Sequence, residues 1–164
     1  MPMLVSGLLA GFVLGLASGG DWRRLARLDL KLWPALFVGV VARAVAPFLG
    51  ELALSASIAG LVLVALVALV NRGMPGAWII GLGSLLNTVV TLINGGMPVD
   101  PGAIAVSGKA APSDGLHVIL GPGTQLPFLA DVLLIPVVNN IYSVGDVVLA
   151  IGGFWMVFRL VRSR

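Results

Sequence analysis

From residue 52 to residue 70 the chain carries no charged side chain, and four other runs, at 3–18, 33–49, 76–93 and 144–161, are nearly as apolar. A helix needs ~17–25 such residues to cross a bilayer, so each run is a candidate span, the first only just. Of all residues 10% are charged and 59% hydrophobic, against ~25% charged in a soluble domain. The chain is therefore expected to be an all-α integral membrane protein, one domain over 1–164 with five transmembrane helices. The first run lacks the basic start and clear cleavage site of a secretory leader and is read as a retained span. With no cysteine, disulfides, thiolate metal sites and Cys nucleophiles are excluded.

Charge placement gives a direction. Arg23, Arg24, Arg27, Lys31, Arg72, Arg159, Arg162 and Arg164 fall on one side of the five spans and only Lys109 on the other. Basic flanks face the cytoplasm, so the N-terminus is expected outside and the C-terminus inside. Topology thus accounts for the net charge of +3, and without a basic face interleaved with aromatics nucleic-acid binding is not expected. Residues 21–32, DWRRLARLDLKL, put Leu25, Leu28 and Leu32 on one helical face and Arg23, Arg27 and Lys31 on another. They predict a cytoplasmic amphipathic helix, N-capped by Asp21, whose basic side meets anionic lipid headgroups. Gly7, Gly11, Gly15 and Gly19 recur every four residues. That bare face suits close helix approach, either by a neighbour within the chain or by a membrane-protein partner.

The third span, almost entirely Leu, Val and Ala, reads as a lipid-facing wall. The connection 94–143 is far longer than ordinary loops and holds the only His and the only Tyr of the chain, His117 and Tyr142. Within it 103–106 and 117–120 read as short strands of a hairpin with 109–114 at its tip. Residues 126–140, interrupted by Pro127, Asp131 and Pro136, read as a re-entrant or surface-lying segment of this outer loop, because a full crossing would put the basic end outside.

Polar residues inside apolar runs are the candidate site. Arg43 lies mid-span, where a guanidinium faces a partner or a wet cavity, or else snorkels or bonds carbonyls freed near Pro47. Ser84, Asn87, Thr91 and Asn94, at spacings of three, four and three, form one stripe on the fourth span, either a pocket lining or helix glue. Ser143 and Asp146 have the spacing of an N-terminal cap. Asp131 and Asp146 could act as paired carboxylates, and a carboxylate within reach of Arg43 would offset its desolvation. SVGD at 143–146 resembles the Gly-x-Gly-Asp signature of intramembrane aspartyl proteases, but Ser143 replaces the first Gly, the Tyr-Asp partner is missing, and the cap already explains Asp146. Ser107, His117 and Asp131 hold the residue types of a hydrolase triad without a G-x-S-x-G elbow. One His lacks the second ligand of a metal site, so no metal is assigned and no cofactor is named.

The segments SGGDWRRLARLDLKLWP, NGGMPV, the H-x-x-L and T-x-L-x-x-L-x-D run from His117 to Asp131, and SVGD together resemble an uncharacterised family of small polytopic bacterial membrane proteins, over nearly the full length. The resemblance implies a multi-pass protein of the bacterial plasma membrane and no activity. Three functions are carried forward. The first is a binding or carrier protein whose outward cavity, formed by Arg43, Ser84, Asn87, Thr91, Asn94, His117, Asp131 and Asp146, holds an amphiphile with a polar or anionic head, of lipid or quinone class. The second is a non-catalytic accessory subunit of a larger complex, docked through Gly7, Gly11 and Gly15. The third is a lipid-active enzyme using Asp131 or Asp146.

Overall fold

The computed structural model describes residues 2–162; Arg164, counted above with the basic end, lies outside them. Five long helices are α1 (Pro2–Ala17), α2 (Trp33–Val45), α3 (Ala53–Val70), α4 (Ala77–Asn94) and α6 (Val144–Arg162); α2, α3 and α4 follow one another through short turns, residues 18–32 join α1 to α2, and a folded connection before α6 contains the small helix α5 (Pro101–Ser107). Three stretches, Gly50–Val70, Ala77–Asn94 and Val144–Arg162, are long and apolar enough to cross a membrane, and Pro2–Ala17 and Trp33–Phe48 are shorter apolar helices.

Packing places the long helices in the order α1, α6, α4, α3, α2. Glycines set the contacts, because a missing side chain lets two backbones meet. A Cβ on Gly7 would lie 2.3 Å from the carbonyl oxygen of Ala150, and one on Gly11 2.4 Å from that of Phe154. The glycine face of α1 is thus covered by α6 of the same chain, and because both registers rise together the two helices run parallel. Gly76 and Gly83 meet α6 at Gly152 and Gly145, so α4 and α6 are antiparallel; Gly39 and Gly60 meet where α2 crosses α3.

α3 is more than a lipid-facing wall: Val62, Leu66 and Leu69 point outward, but much of the rest of the helix is covered. It lies between α2 and α4 and buries Ser57, Gly60, Leu61, Val64, Ala65, Val67 and Ala68. Its small residues allow that two-sided contact, and its uniform apolarity hid it, since a helix hydrophobic all round is as well suited to burial in protein as in lipid.

The amphipathic helix expected over 21–32 is also replaced. Only Trp22–Arg27 is helical, as 3-10 turns, with Asp21 accepting from the amide of Arg23 at 2.9 Å. Beyond Leu28 the chain leaves the helix because Asn71, at the end of α3, grips Lys31 on both sides. Its Oδ1 accepts from the Lys31 amide at 3.0 Å and its Nδ2 donates to the Lys31 carbonyl at 2.9 Å.

The connection from α4 to α6 is folded differently from the expected hairpin. Residues 103–106 lie in α5, because Asp100 caps it by accepting from the amide of Ala103 at 2.8 Å and Pro101 fits the first helical turn. The strand that pairs with β2 (His117–Ile119) is β1 (Met97–Val99), and the pairing is parallel, Met97 opposite His117. Residues 126–140 form a 3-10 turn at Pro127–Leu129, then β3 (Leu133–Ile135), which pairs antiparallel with β4 (Asn140–Tyr142). The hairpin tip exposes Val137 and Val138.

Candidate functional site

The C-terminal ends of α2 and α4 and the N-terminal ends of α3 and α6 meet at one end of the bundle, and the connection 95–143 folds over them. Between helices and cover is a cavity of about 260 Å³. From the helices come Arg43, Ser57, Asn87, Thr91 and Asp146; from the cover come Asp114, His117, Asp131, Asn140 and Tyr142.

One wall is a hydrogen-bonded knot. Ser143 begins α6 by accepting from the amide of Asp146 at 3.0 Å, and Asp146 Oδ2 accepts in return from the amide of Ser143 at 3.5 Å. This is the reciprocal cap that the S-x-x-D spacing encodes. Asn87, 1% exposed, ties the cap to α4: its Nδ2 donates to Asp146 Oδ1 at 3.0 Å and its Oδ1 accepts from the Ser143 hydroxyl at 2.8 Å. Gly145 makes room, since a Cβ there would sit 2.0 Å from the Asn87 oxygen.

Arg43 enters from the opposite wall. Its stem lies on Gly60 and its Nη1 donates to the hydroxyl of Ser57. The expected pairing with Asp131 or Asp146 is not made: among the described residues the ion pairs within 4.0 Å are those of His117. The reason is geometric, for Asp146 is held by the cap and Asn87 while the cover turns Asp131 toward His117. Arg43 Nε is buried without a hydrogen-bond partner, as is Asp131 Oδ1.

The cover contributes a second relay. Asp114 Oδ1 accepts from the amides of Leu116 and His117 at 3.0 and 3.2 Å, and its Oδ2 lies 2.7 Å from His117 Nδ1. Burial works against its charge, but those two amides and the imidazole together hold its carboxyl below the usual range. With Nδ1 so engaged, His117 Nε2 faces Asp131 Oδ2 at 3.9 Å. Asp114, His117 and Asp131 also line a second hollow of about 240 Å³ on the far side of the cover, beside Lys109. They therefore stand between outside and inside. Among the described residues no group of three His, Asp or Glu side chains is placed to hold a metal ion.

Asp131 is 8% exposed. Burial, and secondarily the charge of Asp146, push its carboxyl up to about 8, with Arg43 pulling the other way. A group whose folded value lies above its unfolded one stabilises the fold fully below the unfolded value, near 3.8, and loses that contribution as pH rises toward the folded one. Thermal stability in detergent should therefore fall between pH 5 and 8, by roughly 3 kcal/mol at ~1.4 kcal/mol per unit. In Asp131→Asn, neutral at every pH, most of that slope should vanish; an equal slope in both proteins would refute the assignment.

Six of the eight expected site residues line the cavity: Arg43, Asn87, Thr91, His117, Asp131 and Asp146. Ser84 does not, because its hydroxyl donates to the Leu61 carbonyl at 2.7 Å and joins α4 to α3. Asn94 does not either: its side chain grips the Gln125 backbone, donating to the carbonyl at 3.0 Å and accepting from the amide at 2.9 Å. Ser107 donates to the Ile104 carbonyl at the end of α5, which is a helix-end bond and not a nucleophile's. Ser57, Asp114, Asn140 and Tyr142 are the polar contributors that were not among the eight expected. For Asp114 the signal was present in SDGLH, an Asp-Gly turn two residues before the only His.

A family model described as a family of unknown function (DUF5317) matches residues 26–158. No curated protein and no solved structure matches the chain.

Proposed function

The chain belongs to DUF5317, a family of unknown function, and from that starting point we propose that it is a five-span protein of the bacterial plasma membrane that binds or carries an amphiphile by its polar head. The observation that carries this reading is Arg43: a guanidinium set into an apolar helix, with no ion pair among the described residues, whose buried Nε is unpartnered beside a cavity of about 260 Å³. A buried charge left short of partners is costly, and a ligand oxygen accepting from Nε removes that cost. The knot of Asn87, Ser143 and Asp146 supports the reading by fixing the opposite wall without using Arg43. Binding needs no catalytic step, and the same polar groups serving only the fold would be the reading of an accessory subunit.

The topology belongs to the same proposal. Neighbouring helices alternate in direction except the parallel pair α1 and α6, which suits five passes in either orientation; the placement of basic residues supports the N-terminus outside. Arg23, Arg27 and Lys31 then face anionic headgroups at the cytoplasmic surface. Of the two readings of segment 126–140, the surface-lying one is supported by the pairing of β3 with β4, because their outer edges would be unsatisfied in hydrocarbon. The absence of native cysteine makes this simple to check. Single cysteines at Glu51 and Lys109 should react with an impermeant maleimide in intact cells, and one at Arg72 only after permeabilisation; the opposite pattern would invert the topology.

The functional test is native mass spectrometry of protein extracted gently from its own membrane. Wild type should retain a lipid-like mass that Arg43→Leu loses while remaining folded and monodisperse. Bare monomers in both samples would overturn tight binding, and a protein partner retained by both would favour the accessory subunit.

A further inference from the structure

One helical turn beyond the polar cavity lies a second hollow of about 210 Å³, lined almost wholly by hydrocarbon. The same four helices wall both. Arg43 is followed by Val40 on α2, Ser57 by Leu61 on α3, Asn87 by Ser84 on α4 and Asp146 by Leu149 on α6, the first of each pair lining the polar cavity and the second the apolar one. Three or four residues are about 5 Å along a helix. A polar compartment and an apolar one are therefore stacked along the bundle axis.

The apolar hollow also has an exit. α1 and α2 stand at the two ends of the helix order without substantial packing on each other, yet Leu4 and Leu8 of α1 and Leu36 and Val40 of α2 all line it. The row of helices thus curls until its ends face one another across the hollow, and the seam between them opens sideways. Leu28 and Leu30, in the segment held by Asn71, close the end away from the polar cavity.

The head compartment has its own chemistry. One guanidinium faces three acidic side chains, Asp114, Asp131 and Asp146. Asp114 and Asp146 are already engaged by amides, His117 and Asn87. What remains open is the donor Arg43 Nε and the oxygen Asp131 Oδ1. A hydroxyl can meet both, accepting from Arg43 Nε and donating to Asp131 Oδ1, and a carbonyl can accept from Nε; a carboxylate or phosphate would add negative charge beside Asp114 and Asp146, which already outnumber the single guanidinium.

Resting on the reading of the polar cavity as a head site, we propose that the ligand is a single-chain lipid with an uncharged, hydroxyl- and ester-bearing head, of the monoacylglycerol class, whose chain occupies the apolar hollow and leaves between α1 and α2. The size of the hollow fits one chain. At ~30 Å³ for a water-sized group, 210 Å³ takes about seven groups of one chain, or three or four each of two. The two compartments together are of the size of ordinary ligand pockets, ~300–1,000 Å³.

The test uses the full chain in phosphatidylcholine nanodiscs with a monoacylglycerol carrying a mid-chain diazirine. Irradiation should label Leu61, Val64, Ile80 or Leu149. A tenfold excess of monoolein should cut labelling at least fivefold and the same excess of oleate at pH 7.5 less than twofold. Val64→Trp, which fills the hollow, should reduce labelling to the level of an unrelated membrane protein, and Ile80→Phe should do so partly. Labels confined to outward residues such as Leu66 and Leu69 overturn the tail site. The head reading then stands if wild type still retains a mass that Arg43→Leu loses, and falls with it if neither does. Competition by oleate equal to that by monoolein overturns the uncharged head.

Discussion

Gly11→Leu is expected to abolish the pairing of the first and last helices and to lower the unfolding temperature in detergent by roughly 10 °C or more. A Cβ at Gly11 would stand 2.4 Å from the Phe154 carbonyl oxygen and 3.1 Å from its Cα. Both are backbone atoms, which cannot swing aside as a side-chain tip can. The helices must separate along their length, exposing the contacts at Gly7 and Gly15 as well. Overpacking of a core typically costs ~1–3 kcal/mol, and a clash against backbone falls at or above the top of that range. At ~2–4 °C per kcal/mol for a chain of this size, the shift is readily measured. Gly11→Ala should lie between wild type and Gly11→Leu, whereas Gly19→Ala, with open space around its Cβ, should cost only the strain of its left-handed backbone. An unchanged melting temperature in Gly11→Leu would mean that α1 is not held by α6.

Asn87→Leu should be comparably severe for a different reason. The side chain is nearly isosteric, so volume is preserved, but Ser143 loses the acceptor of its buried hydroxyl and Asp146 loses a donor. Each unsatisfied buried group costs ~1–3 kcal/mol, giving about 2–5 kcal/mol together. Both losses strike the cap of α6, so the start of that helix should fray and hydrogen exchange at residues 144–148 should accelerate. Thr88→Val is the control one residue away, because Thr88 bonds only its own helix, donating to the Ser84 carbonyl at 2.8 Å; it should cost under about 1 kcal/mol. Equal effects of the two substitutions would show that the knot adds nothing to ordinary helix packing.

The helices were legible because long apolar runs broken by Gly, Pro and charge leave few alternatives, and the α6 cap because S-x-x-D is a local signal. The polar stripe on α4 was legible as a stripe but not as a site. Spacing shows that Ser84, Asn87, Thr91 and Asn94 share a face; it cannot show that Ser84 faces α3 and Asn94 the cover, which depends on neighbours set by the order of packing. That order is what the sequence conceals. Nothing in the string says that α6 lies between α1 and α4 or that α3 lies between α2 and α4, so α3 looked like nothing more than a lipid wall. The cover was misread where tertiary bonds beat local pattern: Ala103–Val106 alternate in size like a strand but are drawn into α5 by the Asp100 cap, and β2 found a parallel partner 20 residues upstream.

The place of the last helix between the first and fourth has a consequence for how the molecule is made. α1 leaves the ribosome before α2, α3 and α4, and its matching surface on α6 follows more than a hundred residues later, on the order of ten seconds at ~5–20 residues per second. Throughout that interval α2, α3 and α4 can pair in sequence, each with a neighbour already synthesised, while α1 waits with a row of bare glycines toward lipid. The contact that holds α1 is thus made only once α6 has been synthesised. A chain cut short anywhere before residue 144 lacks the surface that covers the glycines of α1.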